Sequence, residues 1–179
     1  MTKSPSAASI LMVDDHASNL LALEAALAPL GQRLVRATSG EDALRAALRE
    51  EFACILLDVH MGGGMDGFET ARILKTRERS RHTPILFLTG TVQDRGFLHR
   101  AYEYGAVDYL LKPFDPDVLL AKVKVFTDLY LLRERVKRFE REEAAREEAE
   151  RQRARLEATI AQMQQLAQER ERALKLRDE

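Results

Sequence analysis

The chain has 179 residues, 45% of them hydrophobic and 32% charged, enough to bury one core of ordinary size with residues to spare. Its 28 basic and 29 acidic residues leave a net charge of -1, which excludes a global field for holding nucleic acid or anionic lipid. One cysteine, Cys54, excludes an internal disulfide, no apolar run approaches the ~20 residues that cross a bilayer, and the opening MTKSPSAAS lacks the apolar stretch of a signal peptide, so a reducing, cytoplasmic setting is expected.

After a flexible start over residues 1–8, the first β-rich run is SILMVDD, ending in Asp14 and Asp15. An amphipathic stretch follows, and Gly31 falls where its helix should end. RLVRA reads as the second strand, and Ser39 with Asp42 resembles a capping arrangement ahead of ALRAALREE. ACILLD is the third strand. Its run Cys54-Ile55-Leu56-Leu57 has the length and branching of a strand buried on both faces, which belongs to a parallel sheet covered by helices. PILFLTG and VDYLLK complete a set of five, with Gly105 closing the helix between them. Strands interleaved with helices indicate βαβ units, hence an α/β domain over residues 9–126 with right-handed crossovers.

After Pro116 neither proline nor glycine occurs, so the remainder reads as one helix of about 95 Å at 1.5 Å per residue, with residues 127–179 forming an extension of the domain. Val125, Leu129, Leu132, Val136 and Phe139 step by four and three, and so do Leu156, Ile160, Met163 and Ala167, the seam of a coiled coil. Leu156 follows Phe139 by 17 positions, so the two blocks are out of phase across EREEAAREEAERQRAR. A parallel homodimer is expected; the plainer alternative is a solvated, salt-bridged spacer helix.

If the five strands lie in parallel, their carboxyl ends collect Asp14, Asp15, Asp58, Thr89 and Lys112. In open α/β sheets that edge is where ligands bind. Three crowded carboxylates raise one another's pKa values unless something positive sits among them. A hard divalent cation such as magnesium, which takes oxygen ligands and keeps several waters, fits this inventory. With the Lys112 ammonium and the Thr89 hydroxyl, the set can bind an anion at a metal, and a carboxylate so placed can accept a phosphoryl group.

The elements MVDD, LLDVHM…MDG, FLTG and DYLLKPF, in this order and spacing over roughly residues 9 to 126, resemble the receiver domain of two-component response regulators. The resemblance implies a flavodoxin-like (βα)5 doubly wound parallel sheet with strand order 2-1-3-4-5. It also implies that Asp58 is the phospho-acceptor, Asp15 a direct magnesium ligand, Asp14 a ligand through water, and the His60 backbone carbonyl a further ligand. Thr89 and Lys112 would contact the phosphoryl group, Tyr109 would be the aromatic switch, and the Lys112-Pro113 bond would be cis. The implied partner is a histidine kinase or phosphotransfer protein as phosphodonor. The tail is similar to signalling helices that join input domains to kinase or cyclase outputs, and RERALKLRDE resembles the lead-in to histidine-kinase dimerisation helices. No helix-turn-helix follows residue 126, so no nucleic-acid partner is expected.

Two other classes compete with this reading. A hydrolase of the haloacid-dehalogenase type would want a second acid two residues after Asp58, where His60 stands. A coiled-coil adaptor with a silent head would have no use for Asp14, Asp15, Asp58, Thr89 and Lys112 together. His16, His60, His82 and His99 show no metal-ligand spacing and read as surface or loop residues. One departure from the family pattern stands out: Gly62, Gly63 and Gly64 replace the usual proline after Met61 and lengthen the loop by one residue. Glycines permit positive φ but cost entropy when ordered, so a mobile loop beside Asp58 is expected.

Overall fold

In the computed structural model, residues 7–90 and 95–175 are described. The start over residues 1–6 and the RDE end at 177–179 lie outside them. Chain order is β1 (Ser9–Val13), α1 (Ala17–Leu27), a 3-10 turn (Ala28–Leu30), β2 (Arg33–Ala37), α2 (Gly40–Arg49), β3 (Cys54–Asp58) and α3 (Gly67–Thr76). Then come β4 (Ile85–Thr89), α4 (Arg95–Glu103), β5 (Asp108–Leu111) and α5 (Pro116–Lys175). The strands form one sheet, all pairs parallel, in the order β2-β1-β3-β4-β5. This is the flavodoxin-like doubly wound arrangement that the sequence resemblance implies.

Period-two alternation divides the core between the two faces of the sheet. Leu11, Val13, Ile55, Leu57, Ile85 and Phe87 pack against Ala43, Ala47, Ala71, Leu74 and Ala101 of α2, α3 and α4. Ile10, Met12, Cys54, Leu56, Leu86 and Leu88 pack on the other face against Leu20, Leu23, Leu27, Leu119 and Val123 of α1 and α5. The central strands are buried at every position because both faces are covered, and apart from Ser9, Asp58 and Thr89 at their ends they are apolar. Cys54 is buried among them, and burial pushes its thiol pKa up to about 12, so it is an inert packing residue.

Local signals set the helix ends. The Ser39 hydroxyl accepts from the Asp42 N–H at 3.1 Å, with Glu41 and Asp42 in the first turn of α2 and Arg49 in its last, each complementing the helix dipole. Asp66 caps α3 by accepting from the Glu69 N–H at 2.7 Å. Gly31 and Gly105 adopt left-handed φ of +61° and +79°, as expected of helix-ending glycines.

The chain divides into two compact units, Met1–Leu132 and Arg133–Glu179. Within the second, helix–surface ion pairs at spacing i,i+4 include Arg146–Glu150 at 3.3 Å and Arg153–Glu157 at 2.8 Å. Large apolar residues among its described positions are exposed, Phe139 at 60% and Met163 at 65%. Among the described residues, no helix is long and apolar enough to cross a membrane.

Candidate functional site

Strand register decides which side chains meet. Val13 pairs with Leu57 across β1 and β3, so Asp14 and Asp58, each one residue further on, leave the sheet at the same level. Asp58 in turn pairs with Leu88, and Thr89 with Leu111, which puts Thr89 and Lys112 one step beyond on the adjoining strands. The Lys112 N–H donates to the Thr89 carbonyl at 2.7 Å and ties these last two ends together. Gly67 permits this closeness: a Cβ there would lie 2.2 Å from the Asp58 carbonyl oxygen and 2.8 Å from Val59 Cα. Its N–H donates to the Val59 carbonyl at 3.1 Å and anchors α3 against the end of β3.

The Lys112 ammonium is shared between two carboxylates, donating to Asp14 Oδ2 at 2.6 Å and pairing with Asp58 Oδ1 at 3.0 Å. Asp14 is fully buried and Asp58 is 4% exposed. Burial pushes the Asp58 carboxyl above its ordinary range, the Asp14 charge adds to this, and Lys112 with the His60 backbone N–H partly opposes it. Burial alone would depress the Lys112 ammonium. Its hydrogen bonds to Asp14 and Asp58 outweigh that cost and hold its pKa above the usual lysine value.

Asp14 is saturated with donors. Its Oδ1 accepts from the His16 N–H and from Asn19 Nδ2, both at 2.9 Å, while Oδ2 accepts from Asn19 Nδ2 at 3.0 Å and from Lys112. Asp15 is more open to solvent. Its Oδ2 accepts from the Gly62 N–H at 2.8 Å and its Oδ1 faces His16 Nδ1 at 2.7 Å. The Gly62 N–H lowers the Asp15 pKa, burial works against it, and His16 adds to the lowering.

The oxygen donors suit a hard cation. Ligand atoms of Asp14, Asp15 and His16 lie within 4.8 Å of one another, and Asp58 adjoins Asp14 through their shared lysine. Magnesium takes oxygen rather than imidazole nitrogen, so the carboxylates are the fitting donors and His16 is a hydrogen-bond neighbour of Asp15.

The remaining expected residues fall as follows. Thr89 ends β4 fully buried. Tyr109 lies on β5 opposite Phe87, half-buried against the core on the α2–α4 face. His60 is exposed, and its backbone N–H serves Asp58. The Lys112-Pro113 peptide is cis. Three contributors were not read from the sequence: His16 beside Asp15, Asn19 on Asp14, and the Gly62 amide on Asp15. A signal for Asn19 was available, because asparagine in the first turn of an alanine- and leucine-rich helix is a poor helix former that needs another reason.

A family model for the response regulator receiver domain matches residues 10–124. Response regulator PleD of Caulobacter vibrioides is 40% identical over 125 residues, covering 70% of this chain and 27% of PleD. Transcriptional regulatory protein HprR of Escherichia coli is 36% identical over 117 residues, 64% of this chain and 49% of HprR. The chain thus spans between a quarter and a half of the length of these relatives. Among solved structures, Vibrio cholerae chemotaxis protein CheY4 superposes with a TM-score of 0.62 at 31% identity, covering 67% of this chain and 98% of CheY4. The receiver domain of sensor histidine kinase PA1611 from Pseudomonas aeruginosa, with magnesium coordinated in its active site cleft, gives a TM-score of 0.62 at 30% identity over 68% of this chain and 98% of that one. With five parallel strands in this order and the acidic residues gathered with a lysine at their carboxyl ends, the chain belongs to the response regulator receiver family.

Proposed function

We propose that this chain is a phospho-accepting switch of a two-component relay, with Asp58 as acceptor and a histidine kinase or phosphotransfer protein as donor. The observation that carries the reading is the Lys112 ammonium 3.0 Å from Asp58 Oδ1. An Asp58 oxygen attacks phosphorus, the bond from phosphorus to the donor breaks, and the leaving group departs with that bond's electron pair, leaving an acyl phosphate on Asp58. Lys112 holds a phosphoryl oxygen, and the Thr89 hydroxyl donates to another. Asp15 serves as direct magnesium ligand and Asp14 as a ligand through water, with the Asp58 carboxylate and the His60 carbonyl completing the set. The saturation of Asp14 by four hydrogen bonds and the greater openness of Asp15 support that division. Magnesium bound there neutralises charge on the phosphoryl oxygens.

The new charge on Asp58 draws Thr89 toward it, and Tyr109 occupies the space released, which changes the β4–β5 face. The extension over residues 127–179 carries that change toward a separate output. A second copy of the chain pairs with the first in a parallel coiled coil through Val125, Leu129, Leu132, Val136 and Phe139, then Leu156, Ile160, Met163 and Ala167. The exposure of Val125, Leu129, Val136, Phe139, Leu156 and Met163 in a single chain supports this, since a solvated spacer has no use for large apolar residues at heptad spacing. The helix delivers the signal to a histidine kinase. The setting is cytoplasmic.

The test is phosphorylation by acetyl phosphate with magnesium, followed by intact mass, together with sedimentation of the chain. The expected result is one phosphoryl group per chain, lost in Asp58→Asn and without magnesium, on a dimer that Phe139→Asp with Ile160→Asp converts to monomer. Turnover of a phosphate ester would point to a hydrolase, and a dimer that never takes phosphate would point to an adaptor.

A further inference from the structure

We propose that Asn19 is a positioning residue for the acidic site: its side-chain amide holds the buried Asp14 carboxylate in the orientation from which Asp14 serves the cation. The proposal rests on the reading of Asp14 as a magnesium ligand through water.

Asn19 lies in the first turn of α1, five residues after Asp14, and its Nδ2 donates to both carboxylate oxygens, at 2.9 Å and 3.0 Å. A single donor group spanning both oxygens fixes the plane of the carboxylate, which neither the His16 N–H on Oδ1 nor the Lys112 ammonium on Oδ2 does alone. The amide adds a neutral donor to a carboxylate whose only cation, Lys112, is shared with Asp58.

The residue type is costly where it stands. Asparagine is a poorer helix former than the alanines and leucines filling the rest of α1, and it makes no helix cap here. Packing does not account for it either. With Ala22, Leu23, Pro113 and Phe114, Asn19 lines a cavity of about 510 Å³, so shortening it opens onto space already present instead of carving a hole in the core. Groups that orient metal ligands from behind typically alter metal affinity about 10–100-fold when removed.

The experiment compares the whole chain with Asn19→Leu, which keeps the volume and loses the donors, and with Asn19→Ala. Magnesium chloride is titrated calorimetrically, melting is followed without magnesium, and acetyl phosphate labelling is measured across magnesium concentrations, with Asp15→Ala as reference. The expected result is that both Asn19 variants bind magnesium about tenfold more weakly. Their half-saturating magnesium for labelling should rise by the same factor, and their rate at saturating magnesium should stay within about threefold of the parent, a split that a packing role would not produce. Parent-like magnesium affinity in Asn19→Leu overturns the proposal and leaves the acidic-site reading intact. So does a loss of melting temperature with unchanged affinity. If the parent chain itself binds no magnesium, or Asp15→Ala binds as the parent does, the acidic-site reading falls and the proposal with it.

Discussion

The ammonium of Lys112 lies 2.6 Å from Asp14 Oδ2 as well as 3.0 Å from Asp58 Oδ1. One cation from the end of β5 thus holds two buried carboxylates from the ends of β1 and β3.

Lys112→Ala leaves Asp14 and Asp58 facing each other without a cation, so stability at neutral pH should fall by about 3–5 kcal/mol, the range for breaking a buried pair. The loss should shrink as pH falls and Asp58 protonates. Urea midpoints at pH 7 and pH 5 check this, and labelling by acetyl phosphate should slow by on the order of 100-fold.

Asp58→Asn should stabilise the fold at pH 7. The Asp58 pKa is raised above its ordinary 3.8, so the folded state holds its proton where the unfolded chain has released it. Stability of the parent therefore declines as pH rises from about 3.8 through the folded pKa. The variant lacks that decline, and its advantage should grow over this window and then level off. Denaturation curves from pH 4 to pH 7 measure it; an advantage that stays constant across the range would contradict the burial of Asp58.

Gly67→Ala should cost about 2–3 kcal/mol, since its Cβ would have to displace the Asp58 carbonyl oxygen from 2.2 Å. Because that carbonyl belongs to the proposed acceptor residue, labelling of Asp58 should also slow in protein that remains folded. Urea unfolding and mass-monitored labelling of the folded fraction report the two effects separately.

Gly62→Pro removes the N–H that Asp15 Oδ2 accepts at 2.8 Å, whereas Gly62→Ala keeps it and adds only an ordinary 3.4 Å contact. The Asp15 carboxyl should titrate at higher pH in the proline variant and unchanged in the alanine variant, as read by carboxyl NMR. The phospho-aspartate lifetime should change in the proline variant alone.

The five strands, the capped start of α2 and the glycine helix ends were legible in the sequence, because each rests on local periodicity or residue type; the cis Lys112-Pro113 bond was implied only by the family resemblance. The set Asp14, Asp15, Asp58, Thr89 and Lys112 was legible for a related reason: a polar residue closing an apolar run marks a strand end, and parallel strands bring those ends to one edge. The extra loop glycines were visible too, but read alone they suggested only mobility, whereas the structure joins the Gly62 amide to Asp15. The sharing of Lys112 between two carboxylates, the grip of Asn19 on Asp14 and the approach of His16 to Asp15 were decided only by tertiary structure. These contacts depend on side-chain direction and on strand register between segments far apart in the chain, and a backbone N–H carries no residue-type signal at all. Sequence names the groups that reach the edge of the sheet; which pairs of them touch is settled by the alignment of β1, β3 and β5, to within an ångström or so.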